Sequence, residues 1–108
     1  MATTSDPADP GLTHGADPPD APHKPPADVY LVLSPEERAA GFIRPLRSSY
    51  IHEVCHGVTS MGMAIAATYA KQPDFYGSTY CAHCGQHRPV GADGEFIWND
   101  GIGQKVGT

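Results

Sequence analysis

The chain divides into stretches whose pattern can bury a face and one long stretch whose pattern cannot. VYLVL (29–33) is a short apolar run with β-branched and aromatic side chains, and it predicts a strand. SPEERAAG follows. Ser34 can cap a helix, Pro35 suits its first position, Glu37 completes a capping box and Gly41 ends it, so a short helix is expected over 35–40. FIRPL is broken by Pro45, and SSYIHEV (48–54) reads as extended. In TSMGMAIAATYAKQP, Thr59 or Ser60 can cap a helix that runs to about Lys71 and is stopped by Pro73. Met61, Ile65, Thr68 and Tyr69 recur at helical spacing and are expected to face the core.

After the turn DFYGS, the run STYCAHCGQHRPV reads as strand, tight knuckle, strand. GADG is a turn before the strand EFIW (95–98), where Phe96 and Trp98 share a face and are expected in the core. NDGIG is a further turn, and QKV offers a last short pairing. The order β-α-β-α-β-β(-β) predicts a small α+β domain with a short β-sheet and one main helix.

Residues 1–28 carry no such periodicity. Pro7, Pro10, Pro18, Pro19, Pro22, Pro25 and Pro26 are spread among Asp, Ala and Thr, and Leu12 is the one large aliphatic residue after Met1. A segment of this kind buries too little to offset its ordering entropy, so a disordered tail with polyproline character is expected over 1–28, ahead of a domain over 29–108. His14 and His23 in that tail are given no role.

Charge adds one distinction. The formal net charge is -5, and Asp6, Asp9, Asp17, Asp20 and Asp28 against Lys24 place most of it in the tail. The near-neutral remainder lacks the basic footprint of non-specific nucleic-acid binding. Arg38, Arg44 and Arg47 form a local positive cluster that suits a solvated face or, as the sharper reading, a phosphate contact. MATTSDPADPG has neither a basic nor an apolar leader region, and MGMAIAATYA is too short to span a bilayer, so no membrane association is expected. An odd number of cysteines, 3, with two in C-x-x-C, points to a reducing compartment and to metal or redox chemistry rather than a disulfide framework. A cytoplasmic protein is expected.

Cys81-Ala82-His83-Cys84-Gly85 is the most specific motif. Two thiolates at this spacing can share one tetrahedral zinc, and the glycine allows the turn a positive φ. Two further ligands are needed, and His52-x-x-Cys55 repeats the spacing, with Gly57 nearby to allow a turn. His52, Cys55, Cys81 and Cys84 make a Cys3His set that accounts for every cysteine, and residues 56–80 between the pairs leave room for the helix. His56 and His87 compete as fourth ligand, and His83 is expected to face solvent. A structural zinc would staple a domain of this size, which buries little by itself.

HEVCH (52–56) also matches H-E-x-x-H, the metallopeptidase signature in which Glu53 would activate a zinc-bound water. That chemistry needs His52 and His56 on one helical face. The flanking SSYI and GVT are poor helix formers, and Asp74 is a conceivable third ligand farther along. A redox role for CAHC needs a helix starting at the first cysteine, which Gly85 and Pro89 disfavour.

The run from SYIHEVC through FYGSTYCAHCG and the PVG…GEFIW hairpin to KVGT resembles small zinc-ribbon-like proteins common in bacteriophage genomes. The resemblance covers about residues 30–108 and implies zinc-ribbon or treble-clef-like knuckles, a structural Zn2+ and a phage accessory role in the host cytoplasm. Taken together, the expectation is a non-enzymatic zinc-binding module whose partner is another protein. The alternatives are nucleic-acid binding through Arg38, Arg44 and Arg47 and, more remotely, an H-E-x-x-H metallopeptidase.

Overall fold

The computed structural model describes residues 2–9, 12, 16–18, 20–27 and 29–108. His14 and Asp28 lie outside the described residues. The domain is a small α+β unit, as the patterning predicts. β1 (Ala2–Thr4) and β2 (Val29–Leu31) pair in parallel, and α1 (Pro35–Ala39) follows. The capping box forms as read: Ser34 Oγ accepts from the Glu37 N–H, and the Glu37 carboxylate accepts from the Ser34 N–H.

β3 (Ser49–His52) lies at the centre of a three-stranded antiparallel sheet, between β4 (Val58–Ser60) and β7 (Phe96–Trp98). α2 (Met63–Lys71) covers this sheet, and β5 (Ser78–Cys81) with β6 (Gln86–Pro89) forms a separate antiparallel hairpin. Two expectations change here. Thr59 and Ser60 do not cap α2 but belong to β4, and Gly62 takes the N-cap without a side-chain bond. Tertiary bonds decide this: Met61 N–H reaches Ser48 O at 2.8 Å, and Thr59 Oγ1 accepts from Ala82 N–H at 3.1 Å. The GADG turn forms, with Gly94 N–H on Gly91 O at 2.9 Å, yet EFIW does not return along β6. It crosses to β3, pairing Tyr50 with Trp98 and His52 with Phe96.

The core lies between this sheet and α2. Tyr50, Ile65, Ala66, Tyr69, Phe96, Trp98 and Val106 are buried there, joined by Met61 and Val32. Thr68 is buried as well, its hydroxyl accepting from Leu33 N–H and donating to Ala64 O. The helical face over Ile65, Thr68 and Tyr69 is therefore inside, as its spacing requires, and Met61 is buried ahead of the helix rather than on it. Tyr50 meets Phe96 and Trp98 edge-on, with centroids 5.4 and 6.4 Å apart. Among the described residues no helix is long and apolar enough to cross a membrane.

Where a disordered tail was expected, the described residues 16–18 and 20–27 lie along the β5–β6 hairpin. Asp17 N–H donates to His87 O at 2.7 Å, Lys24 N–H to Gly85 O at 3.0 Å, and Gln86 Nε2 to Ala21 O at 2.9 Å. The segment buries few apolar side chains. Its contacts are made instead by its backbone and by Asp17, which also pairs with Lys24 at 2.5 Å.

Candidate metal centre

Two turns of the same build face each other. In the first, β3 ends at His52, and His56 N–H closes a turn on His52 O at 2.7 Å. In the second, β5 ends at Cys81, and Gly85 N–H closes on Cys81 O at 2.8 Å. The residue after each second ligand has a left-handed backbone, φ 63 at His56 and φ 64 at Gly85. Each turn aims an amide at sulfur: Gly57 N–H at Cys55 Sγ (3.3 Å) and Cys84 N–H at Cys81 Sγ (3.4 Å). These bonds favour the thiolate form that a metal requires.

His52, Cys55, Cys81 and Cys84 come together, their ligand atoms all within 4.8 Å of one another. His52 Nδ1 is 3.2 Å from Cys55 Sγ and 3.5 Å from Cys84 Sγ, and Cys55 Sγ is 3.5 Å from Cys81 Sγ. A tetrahedral ion with metal–sulfur bonds of about 2.3 Å sets ligand-to-ligand edges of about 3.6–3.8 Å. These separations lie around those edges, so the group is compatible with one metal ion. Four protein donors converge on one point. No protein-family model, curated protein or solved structure matches the chain. The site must be read from its own chemistry.

His52 is the most constrained of the four. It is buried, and its ring stacks on Phe96 with centroids 4.6 Å apart. Its Nε2 meets Glu95 Oε1 at 2.7 Å, so an Nε2–H donated to the carboxylate leaves the Nδ1 lone pair facing the sulfurs. Glu95 is held in turn by Arg88, whose Nε and Nη2 reach its two oxygens at 3.1 and 2.7 Å. That guanidinium bond is the main reason the Glu95 carboxyl sits below its ordinary pKa. Burial opposes the shift and His52 assists it.

The three thiols are not equivalent. Burial works against the Cys55 thiolate, but the Gly57 amide and bonds from Cys81, Cys84 and His52 outweigh it and bring its pKa down to about 6. Burial, followed by the neighbouring sulfurs, pushes Cys84 up to about 12, and burial raises Cys81 as well. Cys55 is therefore the sulfur most easily ionised, and Cys81 and Cys84 would have to lose protons to serve as ligands.

The remaining candidates lie elsewhere. His56 is exposed in its turn, outside any helix, so His52 and His56 do not form a helical i, i+4 pair. Glu53 is exposed and pairs with Lys105 Nζ. His87 bonds Tyr30 Oη through Nε2 at 2.7 Å and faces Asp17 with Nδ1 at 3.6 Å. His83 is exposed, and its Cβ lies against Gly57, where an added Cβ would sit 2.6 Å from it. Gly57 is needed for this close approach. The left-handed residue of this turn is His56.

Sequence reasoning missed Glu95 and Arg88. Nothing in GEFIW or QHRPV marks them, because their importance comes from β7 crossing to β3, which sets Glu95 beside His52.

Proposed function

We propose that the chain is a structural zinc protein whose metal clamps the β3 turn to the β5–β6 knuckle and fixes a surface for binding another protein. The closed donor set carries this reading. Four side chains supply all the ligands that tetrahedral zinc takes, and the second nitrogen of His52 is already engaged by Glu95. Catalytic zinc sites keep a position for water, whereas four side chains here would fill a tetrahedral set. The role is accordingly non-enzymatic, of the accessory kind that the resemblance to phage zinc-ribbon-like proteins suggests.

Exposed apolar side chains favour a protein partner. Phe42, Ile43 and Leu46 stand on the loop between α1 and β3, and Ile102 is 77% exposed on the turn after β7. Arg44 and Arg47 tie that loop to the C-terminal segment, Arg44 through Thr108 O and Arg47 through Gln104 and Asp100. This internal use weighs against the nucleic-acid alternative. Arg38 donates to Leu33 O, and Arg47 lies over the Trp98 ring at 4.6 Å.

Metal analysis of the purified protein and of its His52→Ala, His56→Ala and His87→Ala variants tests the zinc site. One zinc per chain, lost only from the first variant, is expected. Capture of a protein partner that depends on zinc and on Phe42 and Ile43 tests the binding role, and salt-dependent affinity for DNA or RNA would replace it with the nucleic-acid reading.

A further inference from the structure

The described residues 16–18 and 20–27 supply none of the four metal ligands, yet an unbroken line of bonds joins them to the centre. Asp17 O accepts from Arg88 Nη1. The same guanidinium holds both Glu95 oxygens through Nε and Nη2. Glu95 Oε1 meets Nε2 of His52, whose Nδ1 faces the sulfurs. All three guanidinium nitrogens are thus engaged, two by Glu95 and the third by Asp17. A guanidinium held along one edge can pivot with its carboxylate, and the third bond removes that freedom. Turning the His52 ring away from the sulfurs means breaking its bond to Glu95 or carrying Glu95 along. Carrying Glu95 along means shifting Arg88.

Asp17 is placed by backbone and charge rather than by apolar packing. Its N–H donates to His87 O at 2.7 Å, its Oδ2 accepts from His87 N–H at 2.8 Å, and its Oδ1 pairs with Lys24 Nζ at 2.5 Å. Farther along, Lys24 N–H reaches Gly85 O at 3.0 Å. The His23 ring lies on Gly85, where an added Cβ would sit 2.3 Å from His23 Cγ. Gly85 is the residue whose N–H closes the knuckle on Cys81 O. The segment therefore bears on the centre at two places, the knuckle turn and Arg88. Its own hold is polar and partly exposed, with the Lys24 side chain 49% accessible. Segments with few buried apolar contacts open locally at free energies well below global unfolding.

We propose that this segment is a strap that sets how long the centre keeps its metal, with Asp17 as the positioning residue that acts through Arg88 and Glu95 on His52. Docked, the strap fixes Arg88 and covers the knuckle turn. Lifted, it frees Arg88 to pivot, and His52 loses a fixed carboxylate behind its ring. The inference rests on the zinc reading above and adds control of metal exchange to it.

The test uses the full chain loaded with one equivalent of zinc, mixed with excess chromophoric chelator, and reads the rate of zinc release. Asp17→Ala removes the bonds to His87 N–H and Lys24 and should speed release about 3–10-fold, less than loss of a group that touches a ligand directly. Asp17→Asn keeps an oxygen for His87 N–H and should recover most of the wild-type rate. The deciding measurement is Asp17→Ala in an Arg88→Ala chain, with Glu95→Ala as the background should Arg88→Ala fail to fold. Release should then be no faster than in the background alone. A strap that merely braced the hairpin would multiply the two effects, and that result overturns the proposal. So does an Asp17→Ala rate equal to wild type. In the wild type, the Asp17 and Lys24 amides should exchange hydrogen much faster than the Ala66 amide of α2, and equal protection would deny the strap an opening of its own. Zinc per chain is measured on the same samples. One zinc with a release rate indifferent to Asp17 rejects the strap and leaves the metal centre standing, whereas a chain that binds no zinc rejects both.

Discussion

The two halves of the metal centre have one backbone and two chemistries. His52-x-x-Cys55-His56 and Cys81-x-x-Cys84-Gly85 both close with an amide four residues on, and both place the following residue in the left-handed region. The second half fills that position with glycine, which adopts it freely. The first uses histidine, at a cost of about 1–2 kcal/mol. The first half also leads with an imidazole backed by a carboxylate, whereas the second leads with a cysteine sulfur served by a backbone amide. The two halves thus share one backbone geometry and reach it with different side chains.

Breaking either half should have the largest effect. If one ion joins both, Cys55→Ala and Cys81→Ala will each abolish metal binding, and chelation of the wild type will do the same. Structural zinc contributes apparent free energies of about 10–16 kcal/mol, so circular dichroism and thermal melting should then show loss of most of the folded signal around residues 48–98. A wild-type melt unchanged by chelator would separate the two turns from any shared ion.

Next comes the support behind the imidazole. Glu95→Gln removes the charge that orients His52 and should weaken metal affinity about 10–100-fold, measured by competition with a chromophoric chelator. The second half has no such carboxylate, so no equivalent loss is expected there.

The left-handed positions allow a smaller and more discriminating contrast. Gly85→Ala should destabilise by about 1–2 kcal/mol, and further because its Cβ would sit 2.3 Å from His23 Cγ. His56→Gly should instead stabilise by about 0.5–1 kcal/mol with metal retained, read from denaturant unfolding of the metal-loaded protein. A loss of metal on His56→Gly would reinstate His56 as a ligand.

Proton release sharpens the difference between the sulfurs without a mutation. Cys55, brought down to about 6, is mostly ionised at pH 7, whereas the raised Cys81 and Cys84 are not. Calorimetry in buffers of different ionisation enthalpy should therefore count about two protons released per metal at pH 7. Affinity should fall as pH is lowered, because acid keeps the two raised thiols protonated and then protonates Cys55.

Much of this was legible in the residue order. The Ser34–Glu37 capping box, the buried face over Ile65, Thr68 and Tyr69, the Phe96/Trp98 strand and the C-x-x-C knuckle follow from local patterns, because each needs only neighbours in sequence to act. The matching of His52-x-x-Cys55 to Cys81-x-x-Cys84 was also readable, since equal ligand spacing implies equal turns. Three-dimensional pairing decided the rest. β4 replaced the expected helix cap once Thr59 met Ala82, and β7 left its hairpin for β3, carrying Glu95 to His52 and Arg88's partner with it. His56, in a left-handed turn, does not share a helical face with His52, and five tyrosines spread from residue 30 to residue 80 line one cavity. Periodicity reports which side chains a segment can bury. Which distant segment completes a strand, a ligand's second bond or a cavity wall depends on free-energy differences between whole packings, and no local pattern encodes them.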